Sequence, residues 1–337
     1  MKKPGSKTIK LAIGLIISAL FLYLAFRDVE FSKMMSAFKD ANYWYFIPTL
    51  VVIFASHWFR AWRWQFFIKE IKTIPVSTLF SATIIGYMAN TVLPAHLGEV
   101  FRANVVGNRS EVPTSAIFAT IVIERIADIL SLLLIMVLTL FVFPFPDWVI
   151  ESSYVFFLLV VGIFTFLIFL KVRYERTMRF ARIFLRILPE RLAAKIEELI
   201  EAFVDGINGL KRKSDYIVIL ILSILIWALY ALSFHLISHA FNLFELYQLS
   251  PISSLVLLVI TTVAIIVPSS PGYVGTYHFL CKTSLAMFKV PGPLGLSYAI
   301  IMHALTIYGV AIVGIFFAWR EGLSRLRTKK EISATNY

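Results

Sequence analysis

Residues 91–99 read Thr91-Val92-Leu93-Pro94-Ala95-His96-Leu97-Gly98-Glu99, and residues 267–276 read Val267-Pro268-Ser269-Ser270-Pro271-Gly272-Tyr273-Val274-Gly275-Thr276. Each stretch stops an apolar run with proline and glycine, and a new helix start follows. Backbone left unpaired in lipid is costly, so such breaks survive only where protein or a polar cavity receives them. Paired broken segments, one in each half of a chain, point to the substrate site of a transporter.

The surrounding chain supports a membrane setting. Its 337 residues are 59% hydrophobic with a mean hydropathy of +0.81. Apolar runs of spanning length recur, which excludes an ordinary soluble domain. The net charge of +12 is carried mostly in short connections, where it signals orientation; no soluble basic domain exists that could bind nucleic acid. A single cysteine, Cys281, excludes an internal disulfide framework. Residues 9–26 are apolar and lack a small-residue cleavage site, so they are expected to stay as a first span.

Lys2, Lys3, Lys7 and Lys10 place the N-terminus in the cytoplasm. Spans are then expected over about 8–26, 44–67, 115–143, 153–170, 216–240 and 296–319. The segment Arg27–Asp40 is expected as an outer loop. Pro144–Asp147 and Phe241–Ser250 carry no Lys or Arg and are expected outside. Lys171–Lys213 holds eleven Lys/Arg against six acids and is expected inside, as is the C-terminus with Arg320, Arg325, Arg327, Lys329 and Lys330. The first broken segment must then begin and end inside, and the second must begin and end outside. The expected fold is an all-α polytopic membrane protein, with about six full transmembrane helices plus two oppositely oriented re-entrant hairpins. Residues 1–325 form one integral membrane domain in this reading. Within it, 174–212 are a cytoplasmic amphipathic helical segment, and 326–337 are a flexible tail.

Chemistry concentrates near the breaks. Glu124 and Asp128 are i, i+4 on one span, with Arg125 about 100° around the helix. Intramembrane ions usually face a bundle interior or a wet cavity, as substrate contacts or as a structural network. Glu99 and Arg102 follow the first break at i, i+3 and can pair locally; alternatively Arg102 reaches Asp128 and leaves Glu99 for Arg125. Ser269, Ser270, Gly272 and Gly275 surround the second break, where a half-helix N-terminus suits a phosphate, although a buried tight turn explains the glycines equally well. His278 and Tyr277 lie one turn on and could line the same cavity. His235 and His239 have a metal-compatible spacing but lack a fitting third ligand, so no metal is expected. Arg60, Arg63 and their tryptophan neighbours are expected as interfacial anchors on the inner side, with Arg63 placed to meet a lipid phosphate. No nucleotide-binding or hydrolase fingerprint occurs, and no cofactor is expected.

Taken in order, Arg60-Ala61-Trp62-Arg63-Trp64, Leu93-Pro94-Ala95-His96-Leu97-Gly98-Glu99-Val100-Phe101-Arg102, Glu124-Arg125-Ile126-Ala127-Asp128 and Pro271-Gly272-Tyr273-Val274-Gly275-Thr276 resemble the lysylphosphatidylglycerol synthase/flippase transmembrane family. That family includes the membrane half of bacterial multiple peptide resistance factor. The resemblance implies a lipid-handling domain with re-entrant helices and a central cavity. His96 stands where the family often has a basic or polar residue, and Tyr273 where glycine is common. The chain ends soon after its last span, so aminoacyl transfer is expected to be absent. The expected function is movement of a phospholipid or modified lipid headgroup across the cell (inner) membrane, without enzymatic activity. The alternative is a membrane glycosyltransferase acting on a polyprenyl-phosphate lipid, with Glu99, Glu124 or Asp128 as base. Glu99, Arg102, Glu124, Arg125 and Asp128, three acids and two bases, suit a zwitterionic or cationic headgroup better than a strongly anionic one. The partner is a membrane lipid, and a homo-oligomer is compatible with this reading.

Overall fold

The computed structural model describes residues 6–93, 97–143, 147–209, 212–266 and 271–335. Those residues form helices and connections, with no strand among them. The protein is an all-α polytopic membrane protein.

Helix α1 (Ser6–Phe26) leads through a short turn to α2 (Phe31–Asp40). The expected outer loop is therefore partly helical. Its reason is amphipathicity: Met34 is buried against the last helical stretch, and Ser297 Oγ donates to the Met34 carbonyl at 3.1 Å. Helix α3 (Phe46–Ile68) follows, then α4 (Val76–Val92) and α5 (Gly98–Ser110), which flank the first break. Pro75 stands just before α4 and Pro113 just before α6 (Thr114–Val142), where a missing N–H costs nothing. Helix α7 (Asp147–Val172) ends at Arg173, which leaves helical geometry, and α8 (Tyr174–Leu185) sets off in a new direction. Helix α9 (Glu190–Gly209) packs beneath α6 and α7, and α10 (Lys213–Ala240) re-enters the bundle.

The short α11 (Leu243–Tyr247) precedes α12 (Ser253–Ile266) and α13 (Thr276–Ala286), which flank the second break. Helix α14 (Gly292–His303) continues through a π turn at Ala304–Tyr308 into α15 (Gly309–Thr335). The last helix therefore carries on past Arg327, where a flexible tail was expected. Residues 326–335 contain few helix breakers, and nothing in the sequence stops the helix there.

Among the described residues, three stretches are long and apolar enough to cross a bilayer: Thr114–Val142, Lys213–Ala240 and Gly292–Gly322. The broken segments differ. Helices α5, α12 and α13 have 13, 14 and 11 residues. At 1.5 Å per residue they reach roughly 17–21 Å, short of a hydrocarbon core of about 30 Å. Helix α4 packs on α5, and α12 on α13. The first pair is held close at Gly98: a Cβ there would sit 2.0 Å from the Gly86 carbonyl oxygen, so only glycine fits.

Two apolar cores result. One joins α3 to α6 through Trp64, Ile68, Leu79, Val106 and Ile121. The other joins α10, α12, α13 and α14 through Ile237, Leu257, Cys281, Tyr298 and Met302. The tips of the two broken segments meet between them: a Cβ on Gly272 would lie 3.5 Å from the Thr91 carbonyl oxygen.

Candidate functional site: an ion-lined cavity

The charged residues of α3, α5 and α6 converge. Arg60 and Arg63 are i, i+3 on α3; Glu124 and Asp128 are i, i+4 on α6. Each spacing puts its pair on one face, and the two faces meet. Glu124, with no side-chain exposure, receives Arg60 Nε at 2.7 Å and Arg102 Nη2 at 2.5 Å. Asp128 receives Arg63 Nη2 at 2.5 Å and a second guanidinium from Arg60. Glu99 faces Arg125 Nε at 3.3 Å and Arg102 Nη1 at 3.8 Å. Arg125 also lies 3.7 Å from both Glu124 and Asp128.

The guanidiniums are braced from outside the network. The Arg102 guanidinium carbon stacks 3.6 Å from the Trp64 ring centroid, and Trp64 Nε1 donates to Thr120 Oγ1 at 2.9 Å. Arg63 Nη1 donates to Ser223 Oγ at 2.9 Å, and Arg60 Nη1 to Tyr230 Oη at 3.1 Å, both on α10. An unpaired buried charge is costly, and mutual pairing is what makes seven of them tolerable here.

A cavity of about 250 Å³ opens against this network. Its charged wall is Arg60, Glu99, Arg125 and Asp128, with His57 beside them. Its apolar lining is Trp227, Phe234, Leu258, Ile265 and Ile307, with hydroxyl-bearing Thr261, Thr262, Tyr230 and Thr306 among them. Tyr273, from the second break, also lines it. That tyrosine has φ +59°, a left-handed conformation that glycine adopts without strain.

Several sequence expectations need correction. Arg60 and Arg63 are not interfacial anchors. They are buried and ion-paired, because the bases on α3 lie opposite the acids on α6. Only Trp58 and Trp62, half exposed, keep the belt character. Arg102 pairs with Glu124 rather than Asp128, whereas Arg125 does face Glu99. The charge balance also changes: with Arg60 and Arg63 included, three carboxylates meet four guanidiniums, a formal excess of one positive charge. The case for a cationic headgroup falls with it.

Arg102, Glu124 and Arg63 stand behind the cavity wall, while Glu99, Arg125 and Asp128 stand on it. His278 is not on the wall. Its Nδ1 accepts the Gly275 N–H at 3.4 Å, and its ring packs 4.7 Å from His303. His303 Nε2 bonds the Gly272 carbonyl at 2.8 Å. Gly275 is needed for close packing, since a Cβ there would lie 2.4 Å from the Ser18 carbonyl oxygen of α1. The Gly98 N–H is likewise taken, by Asn90 Oδ1 at 2.7 Å. Both half-helix starts thus spend these N–H groups inside the protein. Ser269 and Ser270 lie outside the described residues. His235 and His239 pack around Phe244, and among the described residues no three metal-ligating side chains converge.

Sequence reasoning missed Tyr87, Trp227 and Tyr230, which also line the cavity, and took Arg60 only for an anchor. For Arg60 a signal existed: two bases three residues apart on a span demand acids on a neighbouring span, and Glu124 and Asp128 were there.

A UPF0104 membrane protein of Methanocaldococcus jannaschii is 28% identical over 125 residues, 36% of this chain and 37% of that protein. The glycosyltransferase AglD of Haloferax volcanii is 29% identical over 133 residues, 38% of this chain and 20% of that protein. The matched parts thus span well under half of either relative. The description "Lysylphosphatidylglycerol synthase TM region" fits residues 11–314, nearly the whole chain, and the protein belongs to that family.

Proposed function

We propose that this protein is a lipid transporter of the flippase type. It carries the polar headgroup of a phospholipid or modified lipid across the cell membrane, while the acyl chains stay in lipid. The observation that supports this reading is a cavity of mixed lining, with the charged Arg60, Glu99, Arg125 and Asp128 beside the apolar Trp227, Phe234 and Leu258. A headgroup crossing hydrocarbon loses its hydration, and fixed charges and hydroxyls replace water along part of that path.

In this reading α4–α5 and α12–α13 are re-entrant hairpins that enter from opposite faces and bring the polar wall to the midplane. Both termini, the α3–α4 connection at 69–75 and Lys171–Lys213 face the cytoplasm, and Pro144–Ser152 and Phe241–Ser250 face outward. Residues 1–325 act as one transport domain.

The second reading, sugar transfer onto a polyprenyl phosphate, draws on the AglD similarity. Against it, Glu124 stands behind the cavity wall and both Asp128 oxygens are held by guanidiniums, so neither is placed to take a substrate proton.

Reconstitution into liposomes with tail-labelled phospholipids separates the two. The transporter reading expects the protected inner-leaflet label to become accessible to a membrane-impermeant quencher faster than in empty vesicles. Unaccelerated movement of every phospholipid, together with sugar transfer to polyprenyl phosphate, would replace it.

A further inference from the structure

The charge distribution around the cavity bears on the class of lipid. On the wall itself two guanidiniums meet two carboxylates. Behind it stand two more guanidiniums, Arg63 and Arg102, and one carboxylate, Glu124, so the excess positive charge sits at the back of the site. In a low-dielectric interior charges a few ångströms apart are felt together, and the cavity lies in a positive field.

The four arginines are not equally committed. Arg60, Arg63 and Arg102 are almost fully buried, and each pairs with a carboxylate at 2.7 Å or closer. Arg125 is 36% exposed, against 13% for Glu99 and 12% for Asp128. Its three carboxylate neighbours stand 3.3–3.7 Å away. Among the described residues its Nε and Nη2 make no hydrogen bond, whereas Arg60, Arg63 and Arg102 each leave one buried nitrogen, Nε, without one. The indole Nε1 of Trp227, which also lines the cavity, is buried without a partner among them too. Unpartnered buried donors are rare and costly, and an acceptor-rich ligand satisfies them. Asp128, by contrast, already accepts a guanidinium on each oxygen, so an ammonium group has to compete for it, while the Glu99 oxygens stand 3.3 and 3.8 Å from Arg125 and Arg102.

We propose that the cavity takes a lipid headgroup of net negative charge, with its phosphate on the Arg125 guanidinium, and disfavours aminoacylated, net-positive headgroups. This rests on the transporter reading for its setting but concerns binding alone. The shared chemistry is a phosphate ester without a compensating amine, whether the phosphodiester of a glycerophospholipid or the monoester of a polyprenyl phosphate.

The test measures binding and movement separately, with the full chain in lipid nanodiscs and in liposomes. Probes are phosphatidylglycerol, a polyprenyl monophosphate and lysylphosphatidylglycerol. Both anionic lipids, or one of them, should bind about tenfold or more tightly than the lysylated lipid, the scale of one charge-assisted hydrogen bond. Whichever anionic probe binds more tightly identifies the source of the phosphate. Arg125→Gln should abolish the preference and Arg125→Lys should keep part of it. Trp227→Phe, outside the ion network, should weaken anionic binding about twofold to tenfold. If Arg125→Gln fails to fold, Trp227→Phe decides.

Equal or tighter binding of the lysylated lipid would overturn the proposal, as would unchanged anionic binding in folded Arg125→Gln or, where that variant does not fold, in Trp227→Phe. Anionic binding without movement supports the charge assignment and sinks the transporter reading. Movement with a cationic preference does the reverse.

Discussion

Glu124→Gln removes a charge from the most buried point of the ion network, and its cost follows from the geometry. Glu124 has no side-chain exposure and holds two guanidiniums at 2.5 and 2.7 Å. Each charge-assisted bond is worth roughly 1.5–3 kcal/mol, and breaking a buried pair by deleting one partner costs about 3–5 kcal/mol. The variant should lose that much stability, because Arg102 keeps a charge whose remaining partner, Glu99, is 3.8 Å away. Adding Arg102→Met restores the formal charge of the cluster, and methionine can still cover the Trp64 ring that Arg102 stacks on. The double variant should therefore be more stable than the sum of the single changes predicts. A coupling of about 2 kcal/mol is expected, within the range for contacting pairs. Reversible unfolding in mixed detergent micelles, followed by tryptophan fluorescence, measures all four corners of the cycle. Neither residue lines the cavity, so the folded double variant should bind lipid as the parent does. Additivity within about 0.5 kcal/mol would refute the network, and loss of lipid binding in the folded double variant would refute the division into wall and backing.

Gly98→Ala should destabilise by about 1–3 kcal/mol in the same assay, since its Cβ meets the Gly86 carbonyl oxygen at 2.0 Å and Asn90 Oδ1 at 2.4 Å. Gly162→Ala, with nothing within 4 Å, is the control and should leave stability level or slightly raised. Glu111 is exposed at φ +54° just past α5, and Glu111→Gly should raise the unfolding midpoint by the equivalent of about 0.5–1 kcal/mol; a lowered midpoint would contradict a strained cap. In a Cys281→Ser background, single cysteines at Arg212 and Asn242 should react with impermeant thiol reagents from opposite sides of the membrane, and same-side labelling would sink the orientation.

The helical membrane architecture and the two breaks were legible because lipid enforces them: hydropathy marks the long helices, and Pro and Gly mark the interruptions. The convergence of Glu99 with Arg125 was legible for the same reason, since intramembrane charges need partners. Arg60 and Arg63 were misread because tryptophan and arginine together resemble an interfacial belt. Their depth is fixed by where α3 packs against α6 and α10, which is a tertiary fact. Helix α2 was hidden because a short amphipathic segment with balanced charge looks like a loop until Met34 finds its cover. The roles of Gly275 and His278 were hidden too. Glycine at a break signals a turn, a phosphate cradle or a close crossing with equal force, and only the approach of α1 distinguishes them.

The central claim is that lipid headgroups pass through the cavity between the two breaks. Thr262 lines that cavity outside the ion network, and its hydroxyl donates to the Leu258 carbonyl at 2.7 Å. The direct measurement is lipid movement in liposomes by a Thr262→Cys, Cys281→Ser variant, before and after modification with a charged methanethiosulfonate reagent. The account predicts that modification stops protein-dependent movement and that bound lipid slows the modification. Complete modification with an unchanged rate of movement would contradict it.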